Sequence, residues 1–315
     1  MSRPAPFYAD IADAPAGADA QFVTTSDGME LRFVCWSEGE KGTVLVLPGR
    51  TEYAEKYGPS VSRLTKLGYS VLVIDWRGQG LSSRPDKERR VGHVDDFSEF
   101  QTDLNTVLKT EQVRALPRPW HMFTHSMGGC IGLRALHKGL DVVSATYSAP
   151  MWGIGLPPLL RGIAQPFANL GSALGKALAF APGTGPELGV LKDPFDKNEL
   201  TNDPATYDWL IAHMQAHPEL GLAGPSLAWL RAALDETRAL MEKPLPRIPS
   251  LVFLGDQESI VDTAPVIRAT DLAPGSELVI CEGAKHEILM ESQAIQSLVW
   301  PRIARHLAET GEPIF

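Results

Sequence analysis

Apolar residues alternate between two spacings along this chain, and the alternation predicts its fold class. Short and almost wholly apolar runs such as TVLVLPG and YSVLVID have the composition of buried strands. Between them lie runs with helical apolar spacing, of which HVDDFSEFQTDLNTVLKTEQVRAL is predicted to be one amphipathic helix. Strands and helices that alternate in short steps predict an α/β protein with a mostly parallel central sheet and helices on both faces.

Three stretches depart from this alternation. The first 20 residues contain three prolines and no apolar segment of a secretory signal, which predicts a loose leader on a cytoplasmic protein. QFVTTSDGMELRFVCW predicts a hairpin that turns at Asp27-Gly28. Residues 151–246 show no strand pattern, and apolar residues from Leu160 to Leu178 have a helical spacing that Pro166 is predicted to interrupt.

The domain organisation follows from these patterns. Residues 1–20 are predicted to be the leader, and residues 21–150 and 247–315 to form one α/β core. Residues 151–246 are predicted to form a helical cap, or lid, inserted between the sixth and seventh strand runs of that core. The strand runs SLVFLGD and SELVIC resume the alternation after the insertion.

Charge and cysteine content exclude some classes of function. The formal net charge of −9 argues against a nucleic-acid-binding protein, which would carry a clustered basic surface. Cys35, Cys130 and Cys281 lie far apart, with no CxxC pair and no histidine at metal-ligand spacing. We therefore expect buried, reduced thiols and no metal site.

The segment HMFTHSMGGC places a serine between a strand run and a helix-like run. In a nucleophile elbow, G-x-S-x-G, a sharp turn lifts the serine hydroxyl out of the sheet. The residues two positions away must be small, because strand and helix backbones nearly touch there. Gly128 fits this pattern, whereas Thr124 stands where a glycine is usual. The context favours Ser126 as a nucleophile, the alternative being a small residue at a tight corner.

A serine hydroxyl needs a base to take its proton and an acid to orient that base. His286 is the candidate base, because EGAKHE follows the last apolar strand, at the edge where open α/β sheets place their sites. The acid is expected in LVFLGDQESIVD, after the preceding strand. Spacing from the strand-ending glycine favours Glu258, with Asp256 as the alternative, and Asp262 is predicted to cap the next helix.

The oxyanion of a tetrahedral intermediate needs backbone N–H donors. One is expected from Met127, directly after the serine, and the other from Arg50, in the loop after TVLVLPG. His125 adjoins Ser126 in sequence and is predicted to point away from it. The chain order of serine, acid and histidine differs from both serine-protease orders and is that of the α/β-hydrolases.

The combined motifs resemble α/β-hydrolases of the monoacylglycerol lipase and lysophospholipase L2 type, also grouped as serine aminopeptidase-like hydrolases. The resemblance is carried by LPGRTEYAEKYG, DWRGQGLSSRP, GHVDDF, THSMGG, GDQESIVD and GAKHE. Family members commonly have HG where this chain has Pro48-Gly49, and that change resembles the lysophospholipase L2 side. The resemblance implies hydrolysis of the carboxylic ester of a single-acyl lipid without a metal or organic cofactor, with the insertion acting as a cap over an acyl tunnel.

The apolar residues of the insertion fit that implication. Met151, Trp152, Phe167 and Trp209 are candidates for substrate contact, the alternative being that each packs the cap on the core. The expected substrate is a lysophospholipid or a monoacylglycerol. The apolar composition of the cap is also compatible with transient contact with a membrane surface. The sequence leaves the oligomeric state open. Two other functions also stay open: a carboxylesterase or thioesterase for small esters, and a non-catalytic ligand receptor.

Overall fold

The structure is a computed structural model that describes residues 2–85, 88–156 and 162–311. Nine strands in these residues form one sheet. They are β1 Arg3–Pro4, β2 Asp19–Thr24, β3 Glu30–Trp36, β4 Thr43–Leu47, β5 Ser70–Ile74, β6 Trp120–His125, β7 Ser144–Ser148, β8 Ser250–Gly255 and β9 Ser276–Cys281. Their spatial order is β1-β2-β3-β5-β4-β6-β7-β8-β9.

Most of this sheet is parallel. Strand β4 lies between β5 and β6 and is parallel to both, and β7, β8 and β9 continue the parallel part. Strands β1, β2 and β3 form an antiparallel edge that joins β5. The predicted hairpin connects β2 and β3, and Gly28 in its turn has a φ of +87°. The predicted fold class is confirmed.

The described helices are α1 Ala9–Ala12, α2 Gly58–Lys66, α3 Ser98–Leu108, α4 Glu111–Arg114, α5 Met127–His137, α6 Ala164–Ala173, α7 Gly189–Lys192, α8 Pro204–Ala216, α9 Leu227–Met241, α10 Thr263–Asp271 and α11 Gln293–Gly311. Short 3-10 helices occur at Ala54–Tyr57, Phe195–Lys197, Pro218–Leu220 and Ile288–Met290. As predicted, Asp262 caps α10, its side chain accepting a hydrogen bond from the N–H of Ala264.

Two buried apolar cores lie on opposite faces of the sheet because successive strand residues point to opposite sides. Leu45 and Leu47 of β4 belong to one core, which α3 and α5 cover. Val44 and Val46 of the same strand belong to the other, which α2 and α11 cover. This explains why β4 and β5 are apolar at every position after the first, and it confirms the prediction of helices on both faces.

Two predictions about helices are wrong in detail. The single helix predicted across residues 93–116 is two helices, because the Thr110 side chain accepts a hydrogen bond from the N–H of Val113 and caps the start of α4. Pro166 does not divide a helix. It lies in the first turn of α6, where an N–H has no acceptor within the helix in any case. Leu160 lies outside the described residues.

The leader, predicted to be loose, packs against the core. Strand β1 pairs with β2, and Ala12 is fully buried. The rings of Phe7 and Trp36 meet edge to face, with centroids 5.5 Å apart. Arg32 Nη1 donates a hydrogen bond to the Pro6 carbonyl over 3.1 Å. Apolar and polar contacts together therefore order a segment whose composition suggested a flexible one.

Helices α6 to α9 lie between β7 and β8 in the chain. Helix α9 packs against α5 of the sheet layer, with Arg134 and Glu236 paired at 2.5 Å. Cys35, Cys130 and Cys281 are buried and free, as the sequence predicts. None of the helices in the described residues is long and apolar enough to cross a membrane.

Candidate active site

Ser126 lies on the turn between β6 and α5, and its backbone is strained. Its φ of 49° and ψ of −118° lie where residues with a Cβ are rare. Three hydrogen bonds hold it there: its N–H donates to the Ser148 carbonyl at 3.0 Å, and its carbonyl accepts from the N–H groups of Gly129 at 2.8 Å and Met151 at 2.9 Å. The surrounding structure therefore imposes a conformation that raises the residue out of the strand.

Glycines on α5 explain why a threonine can stand at position 124. A Cβ on Gly128 would lie 1.9 Å from the Leu47 carbonyl oxygen, so this position requires glycine. Thr124 is buried, and Cβ atoms on Gly129 and Gly132 would lie 3.4 Å and 3.1 Å from its side-chain atoms. Gly129 and Gly132 on the facing helix thus leave room for the Thr124 side chain.

Glu258 is the carboxylate that contacts His286. Its Oε2 lies 2.7 Å from His286 Nδ1, and its Oε1 accepts hydrogen bonds from the N–H groups of Ile260 at 2.7 Å and Val261 at 3.1 Å. Burial alone would raise the pKa of Glu258, but the hydrogen bond and charge of His286, with those two N–H groups, hold the pKa below its usual value. This carboxyl group is suited to remain ionised beside an imidazole.

Asp256, the alternative acid, has a different partner. Its Oδ1 accepts a hydrogen bond from the N–H of Gly283 at 2.7 Å, which ties the end of β8 to the turn after β9. The start of the insertion holds the Glu258 loop, since Gly155 donates to the Ile260 carbonyl at 3.0 Å and Asp262 donates to the Gly153 carbonyl at 3.1 Å. Asp256 therefore orients the turn after β9, whereas Glu258 orients His286.

His286 and the serine turn meet at the same sheet edge. The rings of His286 and His125 have centroids 4.7 Å apart, and His125 directly precedes Ser126. His286 and Ser126 are both buried, at 4% and 8% exposed. Among the described residues, no hydrogen bond joins the Ser126 hydroxyl to His286 or to any other group.

The loop after β4 approaches the serine closely. A Cβ on Gly49 would lie 3.1 Å from the Ser126 Cβ and 2.9 Å from Glu52 Oε2, so a larger residue there would require these neighbours to shift. Gln79 Nε2 donates to the Gly49 carbonyl at 2.7 Å and fixes the loop. The N–H of Arg50 follows in this loop, and the N–H of Met127 lies in the first turn of α5, where amides lack acceptors within the helix. Arg50 and Met127 therefore follow directly in the chain after Gly49 and Ser126, the two residues that approach each other, and their role as oxyanion donors stays a prediction.

A buried charge network behind His286 was not predicted from the sequence. Lys56 Nζ lies 2.6 Å from a carboxylate oxygen of Glu52 and 2.6 Å from one of Glu287. His125 Nε2 lies 3.4 Å from the Glu287 carboxylate. Burial alone would lower the pKa of His125, but Glu287 and Glu52 raise it. The signals in the sequence were the spacing of four between Glu52 and Lys56, and the position of Glu287 next to His286.

The same network bears on metal binding. Ligand atoms of Glu52, His125 and Glu287 lie within 4.8 Å of one another, a grouping that could hold a cation. The Lys56 ammonium group, however, is hydrogen-bonded to both carboxylates. Lys56 therefore provides the positive charge that a bound cation would otherwise provide to these carboxylates.

A cavity of about 390 Å³ lies beside this site. Arg50 and Glu287, neighbours of the predicted catalytic residues, line it, although Ser126 and His286 themselves do not. Its remaining lining comes largely from the insertion and is mixed, with apolar residues such as Leu188, Tyr207, Leu210, Met214 and Leu222 beside the charged Glu187, Lys192, Asp193 and Glu199. An acyl chain would find an apolar wall here.

None of the four predicted substrate-contact residues lines this cavity. Trp152 is buried in the core against Tyr147, with ring centroids 5.0 Å apart, and Met151 is buried beside it. Phe167 is half exposed on the outer face of α6. Trp209 packs on the ring of His213, with centroids 3.9 Å apart. Apolar character alone did not separate residues of the cavity from those of the core or the surface.

The strand order, the strained serine turn and the His286–Glu258 contact define an α/β-hydrolase. A family model described as serine aminopeptidase, S33, matches residues 38–293. The chain is 30% identical over 311 residues to lysophospholipase L2 of Escherichia coli strain K12, covering 93% of this chain and 89% of that protein. The chain therefore belongs to this serine aminopeptidase S33 family.

Other relatives agree with this assignment. The chain is 25% identical over 289 residues to monoglyceride lipase of Rattus norvegicus, covering 89% of this chain and 88% of that protein. Among solved structures, a soluble variant of monoglyceride lipase from Saccharomyces cerevisiae matches with a TM-score of 0.73 and 19% identity. That match covers 98% of this chain and 100% of the other, and it supports the fold.

Proposed function

We propose that this protein is a serine hydrolase that cleaves the carboxylic ester of single-acyl lipids, a lysophospholipid or a monoacylglycerol, through an acyl-enzyme. The observation that carries the proposal is the 2.7 Å contact between Glu258 and His286 beside the strained turn of Ser126. Relatives named lysophospholipase L2 and monoglyceride lipase support the substrate class. The apolar wall of the adjoining cavity supports a substrate with a long acyl chain.

In the proposed mechanism, Ser126 Oγ attacks the ester carbonyl carbon while His286 Nε2 takes the hydroxyl proton. The N–H groups of Met127 and Arg50 stabilise the oxyanion of the tetrahedral intermediate. Glu258 orients the imidazole and stabilises its positive charge. The alcohol leaves with the proton from His286, and water then hydrolyses the acyl-enzyme by the same steps, with His286 again accepting and returning a proton.

We further propose that residues 151–246 act as a cap over a core made of residues 21–150 and 247–315. In support, helices α6 to α9 lie between β7 and β8 in the chain, so they interrupt the succession of core strands. The cavity is lined by residues from both parts, for example Arg50 from the core and Met214 from the insertion. In this arrangement the insertion selects the substrate and the core carries the chemistry.

We predict that the enzyme prefers a 12-carbon over a two-carbon p-nitrophenyl ester, and that Met214→Trp weakens this preference. The larger side chain fills space next to the apolar wall, so it should exclude the distal acyl carbons. We expect the ratio of kcat/KM for the two esters to fall about tenfold. This ratio does not depend on the fraction of folded enzyme.

The matched control is Leu272→Trp, an enlargement of an exposed apolar side chain beside α10 that does not line the cavity. It should leave the ratio unchanged. Equal turnover of the two esters by the unmodified enzyme would instead favour a carboxylesterase for small esters. Faster cleavage of a thioester than of an ester with the same acyl chain would favour a thioesterase.

We also propose that α6 contacts lipid surfaces. Ile163, Phe167, Leu170 and Leu174 recur at helical spacing and are 51–67% exposed. Leu170→Glu with Leu174→Glu should lower cosedimentation with phosphatidylcholine vesicles severalfold, because both charges would enter the interface. Leu272→Glu, a change at an exposed leucine beside α10, is the control. Equal sedimentation of all three proteins would contradict the proposal.

We also propose the cytoplasmic location that the sequence predicts, and cell fractionation tests it.

A further inference from the structure

We infer that the guanidinium group of Arg50 binds the phosphodiester of a lysophospholipid headgroup and so selects this substrate over a monoacylglycerol. The inference rests on the proposed function and narrows it to one of its two substrate classes. It concerns the side chain of Arg50, whereas the proposed oxyanion donor is the backbone N–H of the same residue.

Arg50, which is partly buried and lines the cavity, differs in its partners from the buried arginines. Arg32 contacts Glu55 and Asp75 at 2.7 Å, and Arg77 contacts Asp103 at 2.5 Å. Among the described residues, by contrast, no carboxylate forms an ion pair with Arg50. Its Nη1 donates to the Ala223 carbonyl at 2.7 Å, and its guanidinium group lies 5.7 Å from the Trp229 ring centroid.

An arginine held in this way is suited to an anionic ligand. Desolvation lowers the pKa of Arg50 to about 10, and no carboxylate of the described residues offsets this effect by an ion pair. A phosphodiester would supply a counter-ion and could accept two parallel hydrogen bonds from the planar guanidinium group. Bound phosphate would therefore remove a cost that the free protein carries.

The position of Arg50 matches the covalent structure of a lysophospholipid. The glycerol backbone places the phosphorus only a few single bonds from the ester oxygen, which is comparable with the reach of an arginine side chain. With the ester carbonyl at the Arg50 and Met127 amides, we place the headgroup against the charged lining of the adjoining cavity at Arg50 and the acyl chain against its apolar lining at Met214. A monoacylglycerol presents only an uncharged hydroxyl group there.

Other charged side chains of the cavity do not compete for this role. Lys56 is neutralised by Glu52 and Glu287, and Lys192 pairs with Glu187 at 3.3 Å on the surface. Asp193 and Glu199 also line the cavity and disfavour free inorganic phosphate, but they suit the cationic end of a zwitterionic headgroup. Lysophosphatidylcholine is therefore the appropriate probe.

The first experiment compares kcat/KM for lysophosphatidylcholine and for a monoacylglycerol with the same acyl chain. Arg50→Met should lower the ratio of the two values about 30-fold, the loss expected for one charge-assisted hydrogen bond. Arg50→Lys should lower it less, because charge is kept while the planar pair of donors is lost. A ratio unchanged in both variants overturns the inference and leaves the proposed ester hydrolase intact.

Arg84→Met is the matched control. Arg84 is buried, and its guanidinium group donates to the carbonyls of Gly80, Leu220 and Gly221, which assigns it a structural role. Its replacement should lower both activities together and leave their ratio unchanged. An equal fall of the ratio in both arginine variants would show a general effect of losing a buried cation, and would overturn the assignment to Arg50.

A second measurement separates failure of the inference from failure of the proposed function. Inhibition of p-nitrophenyl butyrate hydrolysis by glycerophosphocholine reads the headgroup site without lipid turnover. Its inhibition constant should rise about tenfold or more in Arg50→Met. Inhibition that is equal in the two proteins, or a wild-type enzyme that cleaves monoacylglycerol but no lysophospholipid, overturns the inference. Absence of turnover of any ester instead removes the proposed function.

Discussion

Ser126→Ala is expected to lower kcat/KM for a p-nitrophenyl ester by about four to six orders of magnitude, as loss of the nucleophile does in enzymes of this kind. Alanine also carries a Cβ, so it meets the same steric cost at φ 49° and should keep the turn. The residual rate would come from the oxyanion donors and substrate binding. Initial rates with a folding check by near-ultraviolet circular dichroism provide the measurement.

The matched control is Ser148→Ala, which removes another buried serine hydroxyl at the end of the neighbouring strand. It should change kcat/KM by less than about tenfold, because Ser148 supports Ser126 through its backbone carbonyl, and His125 Nδ1, 3.3 Å from the hydroxyl, also lies 3.1 Å from that carbonyl. A Ser126→Ala protein that keeps more than about a hundredth of the wild-type rate would contradict the assignment of the nucleophile.

Covalent labelling separates an enzyme from a non-catalytic receptor with the same fold. Intact mass should show one fluorophosphonate adduct on the wild type and none on Ser126→Ala, since the probe reacts with an activated serine. A receptor could also be labelled, but it would hydrolyse no ester. Labelling together with rapid turnover is therefore the combination expected here.

The alternation of strands and helices along the chain was predictable because its causes are local. Strands buried on both faces must be apolar at every position, and this makes runs such as TVLVL visible in the sequence. The Asp27-Gly28 turn has an equally local signal, a glycine with a positive φ. Once the strands are parallel, their carboxyl ends share one edge, so loops far apart in the chain could be assigned to one site.

The parts that could not be predicted depend on contacts between distant residues. Tolerance of Thr124 follows from Gly129 and Gly132 on the facing helix, which nothing at position 124 indicates. The pairing of Lys56 with Glu287 joins residues 231 positions apart. Trp152 and Leu210 are both apolar residues of the insertion, yet only Leu210 lines the cavity. Composition gives burial, and tertiary packing decides what each buried side chain faces.

The choice between the two candidate acids rests on partners that the structure distinguishes. We predict that Glu258→Gln lowers kcat by about 10³- to 10⁴-fold, the effect of replacing the triad carboxylate by an amide. An amide has the same shape but leaves the imidazole cation unstabilised, and it can hold His286 in the wrong tautomer. Rates at saturating substrate for Glu258→Gln and Asp256→Asn provide the measurement.

Glu258→Gln should also change how the free energy of unfolding depends on pH. Because the folded-state pKa of Glu258 lies below its unfolded value, its ionised form stabilises the fold above the unfolded pKa. That contribution is lost as the pH falls through the folded pKa. Glu258→Gln should therefore show a flatter loss of unfolding free energy in acid than the wild type does, in denaturant titrations at several pH values.

Asp256→Asn is the control because the two substitutions are chemically identical and the residues lie on the same loop. Asp256 accepts its hydrogen bond from the N–H of Gly283, and an asparagine oxygen can still accept it. Its kcat should therefore fall by less than about threefold. A larger fall of kcat in Asp256→Asn than in Glu258→Gln would contradict the assignment. It would mean that Asp256 contacts His286 during the reaction, in a loop arrangement other than the one in which Glu258 lies 2.7 Å from Nδ1.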